Sequence, residues 1–166
     1  MKCITNAECE RWLLDRGVPD AKEGLTLRFG RAPAFAVPPD SGKRTSIARV
    51  IAESITDRAA LLWITGWGVW PSSENMGLFN RVRASIAETR KLHEANGHLC
   101  GKGDGEILEC LLDCALYFSW DAWLVDDTAQ SAVWMTNDEV VVFGEENQSH
   151  AGPWRGVAAS LKLRPL

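Results

Sequence analysis

The sequence predicts an α+β fold: one domain over 1–166, in which a mainly antiparallel sheet ending in a three-stranded meander packs against about four helices. Three observations support this. The chain has 166 residues, 46% of them hydrophobic and 24% charged, which is the size and balance of a single domain with a full core. Strand-like apolar runs follow one another at 120–125, 132–136 and 139–143. Segments with helical apolar spacing, each behind a capping residue, fill the N-terminal, middle and 104–118 stretches.

Thr5 with Glu8 three residues on is a capping box, and Cys9, Trp12 and Leu13 form the apolar stripe of a helix from about Asn6 to Arg16. Leu25-Thr26-Leu27-Arg28-Phe29 alternates at period two and reads as a strand, with Ala34-Phe35-Ala36-Val37 as its hairpin partner before Pro38-Pro39. Asp40 or Ser41 caps a basic helix whose Ile47, Val50, Ile51 and Ser54 share a side, with Lys43, Arg44 and Arg49 solvated. Leu61-Leu62-Trp63-Ile64-Thr65 is a buried strand leading into the turn Gly66-Trp67-Gly68-Val69-Trp70-Pro71, whose glycines and proline disfavour a helix.

Ser72 or Ser73 caps the next helix, with Met76, Phe79, Val82, Ser85 and Ile86 inward and Arg81, Arg83 and Arg90 outward. His93 to Gly103 reads as a glycine-punctuated loop. Asp104 caps a helix whose apolar face includes Ile107, Leu108, Leu111 and Leu112, with Glu106, Glu109 and Asp113 on the wet side. The meander strands are joined by 126–131 and by the two-residue turn Asn137-Asp138. A polar loop follows Gly144, and Trp154 to Leu166 forms a last strand or short helix.

The N-terminus has no apolar signal region, and no uncharged apolar run approaches the roughly 20 residues of a membrane helix, so a cytoplasmic protein is expected. Five cysteines at irregular spacing suit reduced thiols better than a disulfide framework. Ser41-Gly42-Lys43-Arg44-Thr45-Ser46 suggests a phosphate loop, but Val37 stands where its first glycine belongs and Arg44 where its Ser/Thr belongs. At 101–105 the Asp104 carboxylate repels an anion. No cofactor motif is found.

Charge is distributed unevenly. Between Lys102 and Arg155 there are eleven acids and no lysine or arginine, against 11 acids and 18 bases elsewhere, so a net of −11 faces a net of +7. A surface of that sign attracts basic proteins, speeds their association and repels nucleic acid. Alternation sends Trp120 and Trp123 to opposite faces of one strand, so one of them is expected at the surface. An exposed tryptophan amid carboxylates is the kind of anchor that dominates interfaces.

These observations predict a non-catalytic binding protein that holds a basic partner through Glu106, Glu109, Asp113, Trp120, Asp121, Trp123, Asp126, Asp127, Asp138 and Glu139. An immunity or inhibitor protein covering a basic bacterial toxin has those demands. The alternative is a small hydrolase or zinc enzyme built on His93, His98 and Cys100, with Cys110 and Cys114 as further ligands or His150 as a further base. The ligand spacing is not that of a zinc knuckle, and no nucleophile signature surrounds Cys100. A third reading is a homo-oligomer joining its opposite-sign faces head to tail.

Overall fold

The computed structural model describes all residues except 56, 69–75, 147–153 and 155. Its centre is one antiparallel sheet of seven strands among the described residues: β1 (Lys2–Ile4), β2 (Ala34–Ala36), β3 (Ala60–Gly66), β4 (Gly97–Cys100), β5 (Asp121–Asp126), β6 (Ser131–Met135) and β7 (Val140–Glu145). They lie in the order β1-β4-β3-β5-β6-β7-β2. The helices are α1 (Asn6–Leu14), α2 (Ala21–Phe29), α3 (Ser41–Glu53), α4 (Met76–Ser85), α5 (Gly105–Tyr117) and α6 (Val157–Ser160).

Both faces of the sheet are covered, so its central strands are apolar on both sides. On β3, Leu61 and Trp63 join a core with Cys9 and Leu13 of α1 and Leu25 and Phe29 of α2. Ala60, Leu62 and Ile64 turn to a larger core under α3, α4, α5 and α6. The β5–β6–β7 meander is the one expected. Its second turn has three residues, 137–139, closed by Thr136 N–H donating to the Val140 carbonyl, with Glu139 left-handed at φ 58.

The box at α1 forms as read: Thr5 and Glu8 cap each other's backbone amides. Asp40 caps α3 through Lys43 N–H. Residues 25–29, expected as a strand, belong to helix α2. Ala21, Leu25 and Phe29 are buried at helical spacing while Leu27 is 77% exposed, so the period-two pattern was a coincidence of one outward leucine. The hairpin therefore does not form, and β2 pairs with β7 instead.

Glycine makes this packing possible. A Cβ on Gly144 of β7 would lie 2.7 Å from Phe29, and one on Gly97 would overlap Cys9 Sγ. The expected 93–103 loop contains β4, bonded to β1 and β3. Of the two elements weighed for the chain end, the short helix α6 forms; no strand follows it among the described residues, but an isolated bridge between Phe35 and Pro165, with Ala36 N–H donating to the Arg164 carbonyl and Leu166 N–H to the Ala34 carbonyl, covers the edge of β2. The caps Ser72 and Ser73 and most of the turn after Gly66, including Trp70, lie outside the described residues.

Candidate functional site

On α5 the apolar residues Leu108, Leu111, Leu112 and Ala115 are buried, and the opposite stripe carries Glu106, Glu109, Cys110, Asp113 and Tyr117. Tyr117 is 61% exposed. The stripe is negative enough to act on its own thiol: Cys110 is pushed up by partial burial and then by Glu109, Asp113 and Glu106. Asp113 accepts from Thr45 Oγ1 at 3.1 Å, whereas Glu106 and Glu109 have no ion pair among the described residues.

Arg44 of α3 ties the C-terminal end of this helix to the β6–β7 turn. Its Nη1 donates to the Leu116 carbonyl at 3.2 Å and its Nη2 to Glu139 at 2.8 Å, leaving Asp138 exposed beside the pair. A cation at the last carbonyls of α5 answers the helix dipole that the acidic stripe aggravates. Asp104, expected to cap α5 through its side chain, makes no such bond; its carboxylate accepts from Gly101 N–H at 2.7 Å and the Met1 ammonium at 2.6 Å.

The remaining predicted partner-binding residues do not join this patch. Trp120 is 1% exposed and Trp123 is 0% exposed. They do reach opposite faces, but each face has its own core, so neither is a surface anchor. Asp126 is buried and shapes the β5–β6 turn, accepting from Thr128 Oγ1 and the Gln130 and Ser131 amides. Asp127 is exposed but lies by α1, where Arg16 Nε donates to its carbonyl. Asp121 is half-buried, and its two oxygens accept from the Asn137 backbone and side-chain amides. Tyr117, missed by the sequence reading, follows Asp113 by four residues on the same stripe, and that spacing was the available signal.

The Cys/His constellation does not converge. His93 lines a cleft beside α1, whereas His98 and Cys100 sit under the opposite helical layer. His98 is fully buried with its ring edge-on to Phe79, Nδ1 3.4 Å from the Leu62 carbonyl and Nε2 without a partner among the described residues. Burial first, and then the neighbouring Arg83, push its pKa down to about 3, so it is neutral. The Cys100 thiol is pushed up to about 12, chiefly by burial, which leaves no thiolate for nucleophilic attack. No group of three His, Cys, Asp or Glu among the described residues is placed to hold a metal ion, and His150 lies outside them.

Arg83, expected outward, is 1% exposed. Its Nη2 donates to the Ala95 carbonyl at 2.7 Å, while Nε and Nη1 have no acceptor among the described residues. Helical spacing places it one turn after the buried Phe79, so its stem follows the core. No family model matches the chain, and no curated protein or solved structure is significantly similar to it.

Proposed function

We propose that the protein is a non-catalytic binding protein that holds a basic partner against the outer stripe of α5 and the adjoining β6–β7 turn. The observation that carries this reading is the stripe itself: an exposed Glu106, half-buried Glu109 and Asp113 on the side opposite the apolar face, no lysine or arginine on the helix, and an exposed Tyr117 at its end. Neighbouring like charges at i,i+3 and i,i+4 destabilise a helix, and a cationic partner removes that repulsion while gaining a steered encounter. The tyrosine supplies the rigid aromatic contact that an interface centre uses. An immunity or inhibitor protein that covers the basic surface of a toxin in the cytoplasm is a setting with these requirements.

The test is a capture experiment with the tagged native protein and three variants, washed at low and high salt. A basic protein retained at low salt by the native chain and by Asp127→Lys, and lost from Glu106→Lys/Glu109→Lys and from Tyr117→Ala, is the expected result. Asp127 serves as the control because it is exposed and acidic but lies by α1. Retention of the same proteins by all four chains sinks the reading. Capture of the chain's own untagged copy would replace the basic partner with self-association.

A further inference from the structure

A cleft of about 1070 Å³ opens between α1, the α1–α2 loop and the end of β3, on the sheet face away from α5. That volume is on the scale of small-molecule sites. One stripe of α1, made of Asn6, Glu10 and Leu14 at four-residue steps, lines it. Leu14, 56% exposed, and the half-buried Trp67 supply apolar surface that a ligand can reach.

Glu10 ends a hydrogen-bond relay that begins in the core. Asn6 Oδ1 accepts from Trp63 Nε1 at 3.1 Å and from Asn96 Nδ2 at 3.3 Å. Those two donors fix which way the Asn6 amide points, so its Nδ2 is left to donate to Glu10 Oε1, at 2.7 Å. The carboxylate is thereby oriented, yet it is exposed, and its second oxygen meets no donor among the described residues. An ionised carboxylate only accepts, so what completes the relay is a donor arriving from solvent. The rim favours a positive one: Glu10, Asp20 and Glu23 outnumber Arg11 and Lys22, and none of the five forms an ion pair among the described residues.

We infer that this cleft binds a small organic monocation, a primary amine carried on an aromatic body. The ammonium donates to Glu10 in a charge-assisted hydrogen bond, and the body lies on Leu14 and Trp67, whose indole face also attracts a cation. A single positive charge follows from a rim in which the acids exceed the bases by one, and the apolar body from the leucine and the indole. This site lies on the other face of the sheet from the α5 stripe and stands or falls independently of it.

The test is a titration of isotope-labelled protein with benzylamine, its neutral counterpart benzyl alcohol, and benzoate, followed by NMR at the Trp63 and Trp67 indole N–H and the Asn6 side-chain amide. Benzylamine is expected to shift all three saturably, the Trp63 signal through the Asn6 relay. It should bind about fivefold tighter than benzyl alcohol, the upper range for an ion pair at an exposed carboxylate, and benzoate should bind weakest. Glu10→Gln keeps an oxygen for Asn6 and removes only the charge, so benzylamine should weaken about fivefold, to the level of the alcohol. Asp127→Asn, which removes an exposed acid outside the cleft, should leave benzylamine binding as in the native chain. Absence of a saturable benzylamine shift, equal affinity for amine and alcohol, unchanged benzylamine binding in Glu10→Gln, or an equal loss in Asp127→Asn would each overturn the assignment.

Discussion

Trp120 and Trp123 stand three residues apart and reach opposite faces of the sheet, where their surroundings differ. Trp123 lies parallel to Trp134, ring centroids 4.9 Å apart and planes 6° apart, in the thinner layer under α1 and α2. Trp120 meets Phe79 edge-on at 4.9 Å and stacks on Phe118 at 5.4 Å, within the larger aliphatic layer under α3 and α5. The thin layer ends in a polar network and an open cleft. The thick one traps Arg83 and His98, both at most 1% exposed. In a sheet covered on both faces, strand residues serve packing whichever way they point, so surface recognition falls to the outer sides of the helices and to the rims of the layers.

The largest expected effect tests that burial directly. Trp123→Ala and Trp120→Ala should each lose about 3–5 kcal/mol of unfolding free energy in denaturant titrations, the cost of emptying a tryptophan-sized site in a core. A loss within about 0.5 kcal/mol for either would mark that side chain as a surface residue and restore it as an interface anchor.

The second effect separates the two layers by pH. The His98 imidazole binds a proton near 6.5 when unfolded but only near 3 in the fold, so the unfolded state takes up more protons between those values. Stability is therefore complete above pH 6.5 and falls with acid toward pH 3; between pH 7 and 5 the loss should be about 2 kcal/mol. His98→Leu should flatten that slope while Trp123→Ala keeps it, and an unchanged slope in His98→Leu would assign the acid loss to another group. Glu88 acts in a lower window: held at about 2 by Arg90 against a usual 4.5, it adds stability above that usual value which disappears as pH falls through about 2.

What could be read in the sequence was local or doubly apolar. The Thr5–Glu8 box spans only two intervening residues, and β3 and β5 are apolar on both faces, so their runs stand out without knowledge of partners. The α2 segment failed because exposed Leu27 mimicked a strand pattern, and β4 because Gly97 and His98 carry no β signal of their own. The opposite orientation of the two tryptophans was read correctly; their burial depended on a second helical layer that alternation does not reveal. The cleft joins residues from α1, β3 and the stretch before β4, far apart in sequence, and Arg83 looks like any outward arginine until Ala95 and Phe79 enclose it.

The smallest effect on stability carries the most about function, because two glutamates in opposite layers should respond with opposite signs. Glu8 of α1 accepts from Thr5 N–H at 2.7 Å and completes the cap, so Glu8→Ala should lower the unfolding free energy. Glu109 of α5 faces Glu106 and Asp113 one turn away on either side, with no cation on the helix. Glu109→Lys replaces two repulsions by attractions and should raise unfolding free energy by about 0.2–0.5 kcal/mol. If the same substitution also abolishes retention of a basic partner, α5 sacrifices stability for recognition, as expected of an acid kept for binding. A loss of stability in Glu109→Lys would show instead that the acidic stripe is held by the fold itself, and the partner would have to be sought away from α5.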